Sequence, residues 1–335
     1  MHTRFFFGGG IGTVMMEKES MRIAEEFGVS LLKGEKLVLT DRRLAKELLP
    51  KRKRNSHKGS YGRAAIVAGC EAYTGAAYLA AAACLRSGAG YTTLFTPKDI
   101  LPLYALKSPE ILLKWTNEGG RYAFNEEIMR GLLAYDSIAY GMGMGASKEV
   151  FKGLAYLLGH YEGKLILDAD GLNSLAYFAG EALQPLFLHK KCDVIVTPHG
   201  KEFSRLSNKT VEEILGNSVQ AAEAFAIQYK VNVLLKNALS VITDGERTFL
   251  NATGNSGQAK GGSGDVLSGV IAGLCASGLS TLDAGVLGAY LVGKSAELGV
   301  VDFGEHSLTA SELIAYLPKA FLLVAEDTDK NGGKQ

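Results

Sequence analysis

The chain has 335 residues, room for one large domain or two small ones, and its 47% hydrophobic and 21% charged residues are a globular balance, not a disordered one. A formal net charge of +1 gives no global field to draw in nucleic acid or an acidic membrane, so neither is an expected partner. Glycine stands out, with 41 residues where roughly 7% is usual, which points to tight turns or to backbone approaching a ligand.

Residues 1–50 read as an N-terminal extension and helical lead-in. The first twenty lack the charge pattern and cleavage site of a secretory signal, and Met15, Met16 and Met21 are candidate alternative starts. Residues 21–49 mix charged and apolar positions in a helical manner and stop at Pro50, and Lys51-Arg52-Lys53-Arg54 reads as a solvated connection. From residue 63 a rhythm begins. RAAIVAG (63–69) is a short apolar strand, residues 76–88 an alanine-rich helix stopped by Ser-Gly, and YTTLFTP (91–97) a β-branched and aromatic strand. Helical periods follow at 147–159, 210–229, 266–278 and 281–298. Between them lie apolar runs at 136–143, 164–170, 193–200, 230–237, 240–246 and 248–254. Short apolar strands alternating with helices predict an α/β sandwich with a mostly parallel sheet, spanning 51–325 and followed by a tail at 326–335. No apolar run approaches the roughly 18 residues that span a bilayer. Cys70, Cys84, Cys192 and Cys275 form no CxxC pair, so they read as buried apolar residues of a reducing, cytoplasmic compartment, not as a zinc or thioredoxin-type site.

In an open parallel sheet, ligands bind beyond the carboxyl ends of the strands, so the polar ends of these runs are where chemistry is expected. The strongest signal is Gly261-Gly262-Ser263-Gly264-Asp265 ahead of an apolar helical period. Exposed amides and the helix dipole there form an anion site, and an aspartate in the same turn can take a proton from an attacking hydroxyl. The plainer alternative is a glycine-rich loop with Asp265 as helix cap. No Walker A loop occurs, and Gly141-Met142-Gly143-Met144-Gly145 is only half of a dinucleotide fingerprint. Thr197-Pro198-His199-Gly200-Lys201-Glu202 offers a histidine and a carboxylate at a strand end, or an ordinary turn with a solvated histidine. Asp168-Ala169-Asp170 can hold magnesium through water, or cap the next helix. Lys236-Asn237 places a cation where a nucleotide could lie, and residues 69–77 form a strand-to-helix loop with space at Gly75-Ala76-Ala77. His2, His160, His189 and His306 have no motif around them and read as surface residues.

Taken together, HKGSYGRAAIVAGCEAYTGAAYLAAAACLRSGAGYTTL (57–94), LILDADGLNSL (165–175), VIVTPHGKEFSRL (194–206), the run from Val233 to Leu274, and HSLTASELIAYLP (306–318) resemble one family. It is that of the ADP/ATP-dependent NAD(P)H-hydrate dehydratases, the YjeF C-terminal family of the ribokinase-like superfamily. The resemblance covers about 50–320. It implies a ribokinase-like three-layer α/β/α sandwich and a lyase that repairs nicotinamide nucleotides. The expected reaction dehydrates (S)-NADHX and (S)-NADPHX to NADH and NADPH and turns ADP into AMP and phosphate, with Mg2+ on the nucleotide and no protein metal ligands assigned. It implies that Ala76, Ala77, Gly143, Gly145, His199 and Asp265 meet the hydrate. Lys236, Asn237, Ala238, Leu239, Ser240 and Gly264 would meet the nucleotide phosphate, and the amides of Gly261, Gly262, Ser263 and Gly264 would form the anion hole. Asp265 would be the catalytic base. A homo-oligomer (a homotetramer in the family) and a separate NAD(P)HX epimerase are also implied, because fewer than sixty residues precede the match.

Four positions depart from the family pattern: Gly200-Lys201 for Pro-Gly, Asn237 for the glycine of LKG, Met142 for the proline of GPGLG, and Val292 for histidine. The runner-up reading is a kinase of the same fold acting on an alcohol such as hydroxymethylpyrimidine or a sugar with ATP. A third is a non-catalytic nucleotide-binding protein. His199, on a strand-end loop, is expected to bind hydrate and to add little stability.

Overall fold

Strands that are buried on both faces need apolar side chains at every position, and the short runs of this chain supply them. The computed structural model describes residues 37–326 together with Arg22, Ile23 and Glu26. The extension, its candidate starts, most of the lead-in and the tail from 327 lie outside the described residues. The strands are β1 (Leu37–Leu39), β2 (Arg63–Val67), β3 (Tyr91–Thr96), β4 (Leu112–Trp115), β5 (Ser137–Tyr140), β6 (Lys164–Leu167), β7 (Asp193–Val196), β8 (Asn232–Leu235), β9 (Ser240–Thr243) and β10 (Thr248–Asn251). They form one sheet in the order β1-β10-β9-β8-β7-β6-β5-β2-β3-β4. Every neighbouring pair is parallel except the two that involve β9.

The register shows how the two faces are built. Ala65, Ile138, Leu165 and Val194 stand in one row and belong to one core, while Ile66, Ala139, Ile166 and Ile195 stand in the next row and belong to the other. The first core is covered by α4 (Glu126–Leu132), α5 (Lys148–His160), α6 (Asp170–Phe178), α7 (Leu183–Leu188), α8 (Gly200–Ser207), α9 (Val211–Gly216) and α10 (Ser218–Tyr229). The second is covered by α1 (Arg42–Leu48), α2 (Thr74–Arg86), α3 (Leu101–Ala105), α11 (Ser263–Ala276), α12 (Thr281–Ser307) and α13 (Ala310–Ala325). This is the α/β/α sandwich with a mostly parallel sheet. Helix α11 is buried from Val266 to Ala276, and a side chain at Gly269 would meet the Ala80 carbonyl of α2 at 2.1 Å. The alanine-rich sequence of α2 and the glycines of α11 therefore let two backbones pack closely.

Several elements differ from the sequence reading. Residues 37–39 are a strand, because Leu37, Val38 and Leu39 pair in parallel with β10, and only Arg42–Leu48 of the described lead-in after them is helical. The expected helix 210–229 breaks at Asn217 into α9 and α10. Helix α12 runs on to Ser307, past 298, with a non-helical break at Gly304. By length and composition α12 could cross a membrane, but its most apolar stretch is 72% buried inside the fold. Lys51–Arg54 is exposed, as are His160, His189 and His306, and the four cysteines are buried and unpaired.

Candidate active site

Sheet register brings the carboxyl ends of β2, β5, β6 and β7 into one rim, since Val67, Tyr140, Leu167 and Val196 lie side by side. The chain turns away from β2 in both directions, to β3 on one side and β5 on the other, so this rim holds a topological switch point. Gly69 donates its amide to the Met142 carbonyl there, at 2.8 Å. Gly141 has φ +122, and a Cβ on it would come within 2.2 Å of the Asp168 carbonyl. The turns after β5 and β6 are therefore in direct backbone contact. Ala169 takes the left-handed side of φ, at 49°, which no alanine adopts without strain. That turn delivers Asp168 inward, while Asp170 accepts the Gly145 amide at 2.8 Å.

Asp168 is the centre of the charged cluster. It is 1% exposed. Its Oδ1 accepts from Lys236 Nζ at 2.7 Å, at the end of β8, and its Oδ2 accepts from Ser268 Oγ at 2.7 Å, in α11. Burial alone would lower Lys236, but the carboxylates of Asp168, Glu202 and Asp265 outweigh it and hold the ammonium above its usual range. Helix α11 begins at Ser263 behind Gly262, whose φ of +100 turns the chain into the helix. No side chain caps this terminus, so its first-turn amides have no side-chain acceptor. A Cβ on Gly264 would stand 3.3 Å from Lys236 Nζ. An ammonium and uncapped helix amides thus converge at one point, the arrangement that binds phosphate. In that same turn, burial pushes the Asp265 carboxyl up to about 7, and the nearby Asp168, Asp170 and Glu202 carboxylates add to the effect against the pull of Lys236.

His199 sits beside Lys236 through a parallel bridge. Its Nδ1 accepts from the amides of Lys201 and Glu202 at 3.1 and 3.4 Å, and Glu202 Oε2 accepts the His199 amide at 2.9 Å. This is a reciprocal capping box at the start of α8. The expectation that His199 adds little stability is corrected here, since it caps a helix. With Nδ1 accepting, the neutral ring carries its proton on Nε2. Burial lowers His199, and the Lys236, Arg205 and Lys201 charges lower it further. Burial and the Asp168 charge raise Glu202.

The sequence-predicted residues group as follows. Ala76 is partly exposed beside Gly143, whose Cβ would meet that of Ala76 at 2.7 Å, whereas Ala77 is fully buried under Gly69. Open space adjoins Gly145, Gly75 and Gly261. Asn237 and Ala238 are exposed in the β8–β9 turn, Leu239 is in the core, and Ser240 Oγ donates back to the Asn237 carbonyl at 3.0 Å. Asn237 Oδ1 accepts the Ala238 amide, so it stabilises the turn in which the family has glycine. Met142 and Val292 are core residues, and Gly200 starts α8 with only ordinary contact to Val211. Gly262 is the cap of α11 and Asp265 lies inside its first turn, which excludes Asp265 as the cap. Asp168 and Asp170 do not cap α6, because Ala169 holds that position. Glu202, the carboxylate of the strand-end motif, turns out to cap the His199 amide, and Ser268 has no sequence signal, since it lies within an apolar helix with no motif of its own.

Among the described residues no group of three His, Cys, Asp or Glu side chains is placed to hold a metal ion. Asp168 already has two donors, and Asp170 is taken by a backbone amide. These contacts engage both oxygens of Asp168 and one of Asp170, and no third side chain joins them to complete a direct magnesium site among the described residues.

Comparison with known proteins identifies the family. A family model described as NAD(P)H-hydrate dehydratase matches residues 64–319. The bifunctional NAD(P)H-hydrate repair enzyme of Thermofilum pendens is 37% identical over 284 residues, which is 83% of this chain and 53% of that protein. This chain therefore spans about half the length of that relative. The ADP-dependent (S)-NAD(P)H-hydrate dehydratase of Bacillus subtilis is 33% identical over 275 residues, 82% of this chain and 94% of that one. A crystal structure of the ADP/ATP-dependent NAD(P)H-hydrate dehydratase from B. subtilis, co-crystallised with ATP and Mg2+, superposes with a TM-score of 0.74 at 29% identity, covering 85% of this chain and 98% of that one. Matching in sequence over most of its length and in fold, the chain belongs to the NAD(P)H-hydrate dehydratase family.

Proposed function

We propose that this protein dehydrates (S)-NADHX and (S)-NADPHX to NADH and NADPH with ADP as phosphoryl donor, giving AMP and phosphate. The observation that carries the reading is Asp265, a carboxyl raised to about 7 in the first turn of an uncapped helix beside Lys236. A base poised near the working pH and a cationic, amide-lined phosphate site suit attack of a hydroxyl on a phosphoryl group. Asp265 takes the hydroxyl proton of the hydrate. The hydroxyl oxygen bonds to the terminal phosphorus of ADP, and the bond to the AMP oxygen breaks. The Gly261–Gly264 amides and Lys236 stabilise the charge on the transferred group. The ring nitrogen lone pair then expels phosphate, which carries away the former hydroxyl oxygen, and loss of a proton from the neighbouring carbon restores the double bond. Magnesium enters, in this reading, on the nucleotide phosphates.

The relatives' names support the dehydratase over a small-molecule kinase, which would leave a stable phosphorylated product. The unpaired buried cysteines support a reducing, cytoplasmic setting. A homo-oligomeric assembly belongs to the same proposal. With hydrate labelled by oxygen-18 at the hydroxyl, the label is expected in the released phosphate. Label found only in water would exclude the phosphorylated intermediate, and a persistent phospho-product would return the kinase reading.

A further inference from the structure

A buried carboxylate costs stability unless it is paired and hydrogen-bonded, and a paired one is often replaceable by apolar groups at no loss of stability. Asp168 is buried to 1% exposure and receives one donor from each of two distant elements, Lys236 Nζ from the end of β8 and Ser268 Oγ from α11, both at 2.7 Å. Ser268 lies one helical turn beyond Gly264, so the carboxylate grips α11 directly behind the uncapped amides. Its other partner, Nζ, stands 3.3 Å from where a Gly264 side chain would begin. A Cβ at 264 would require the ammonium to give way by a few tenths of an ångström.

The geometry points to Asp168 as a positioning residue: its carboxylate fixes the Lys236 ammonium against the first turn of α11, beside Gly264, at the point where the transferred phosphate lies. This rests on the nucleotide reading above. Asp168 does not touch the reacting atoms, and it acts through Lys236 and Ser268. It also belongs to the set of charges facing Asp265, with Lys236 from β8, Asp170 from α6 and Glu202 from α8. Asp168 raises the Asp265 carboxyl more than Lys236 lowers it, so removing its negative charge eases ionisation of Asp265 even where Lys236 is displaced.

The test uses Asp168→Asn and Ser268→Ala in the full chain, with ADP binding followed by calorimetry and hydrate turnover followed against pH. Asp168→Asn is expected to weaken ADP binding roughly tenfold or more, the scale of one charge-assisted contact. It should leave KM for the hydrate unchanged and move the acid limb of kcat to lower pH. Ser268→Ala, which keeps the ion pair but frees it from the helix, should weaken ADP binding in the same direction by less. It also decides the matter if Asp168→Asn does not fold. Folded variants that bind ADP as tightly as the unaltered protein, with an unmoved acid limb, would overturn the positioning role and leave the dehydratase reading standing. An unaltered protein that does not bind ADP would instead overturn the nucleotide reading itself.

Discussion

Asp265 combines a location in the first turn of an uncapped helix with a carboxyl held at about 7 by burial and three neighbouring carboxylates. As a base it works only when ionised, so kcat/KM should rise with pH through about 7. Asp265→Asn should abolish that limb and lower turnover by at least roughly 10²-fold. Near-normal turnover would remove Asp265 from the chemistry. The same shift has a stability consequence. A carboxyl raised in the folded state stabilises it fully at low pH, and that contribution is lost as pH rises from the ordinary carboxylate range through about 7. The Asn variant, which carries no charge, should therefore melt above the unaltered protein at alkaline pH, with the difference shrinking as pH falls. His199 caps α8, and the proposed function adds a role in binding the hydrate. His199→Ala should raise KM for the hydrate and also cost about 1 kcal/mol from the lost cap. The paired reading of KM and Tm checks this, and an unchanged KM would leave only the capping role.

The decisive element is the turn from Lys260 into α11. Lys260 Nζ donates to the carbonyls of His306 and Leu308, which ties this turn to the break between α12 and α13. At Gly262, with φ +100, a Cβ would fall 2.6 Å from Leu79 Cδ1 and 2.8 Å from the Ala310 Cβ. Gly262→Ala should therefore cost roughly 1–3 kcal/mol, the scale of a residue forced into a disfavoured backbone region. At Gly261 nothing lies within 4 Å of the added carbon. Gly261→Ala should change stability by no more than about 0.5 kcal/mol while weakening ADP binding, because in the proposed reading the methyl group enters open space that phosphate would fill. Denaturant unfolding and calorimetry on the two variants separate scaffold from site, and equal stability losses would refute the distinction.

At the scale of the whole molecule, the central strands were legible because both of their faces are buried, so RAAIV, KLIL and DVIV are continuous apolar runs. The edge strands were not. Leu37–Leu39 is three residues set among charges and is a strand only because β10 lies beside it, and β4 is exposed at three of its four positions, Lys114 among them. The glycine-rich turn and Asp265 could be read from local sequence, since amides, dipole and base fall within five residues. The Asp168 cluster could not, because its partners are 68 and 100 residues away and meet only through sheet order. Helix α8 was missed because its cap is a histidine, outside the usual capping set. In the proposed function all of these arrangements serve one reaction, and one assay reads it directly. Purified protein is mixed with (S)-NADPHX and either ADP or ATP, and the near-ultraviolet absorbance of the reduced nicotinamide is followed. The account predicts that absorbance returns with ADP, in step with AMP and phosphate. A tenfold preference for ATP, about 1.4 kcal/mol in the transition state, would change the donor alone. Absence of any absorbance recovery with both nucleotides would contradict the dehydratase assignment.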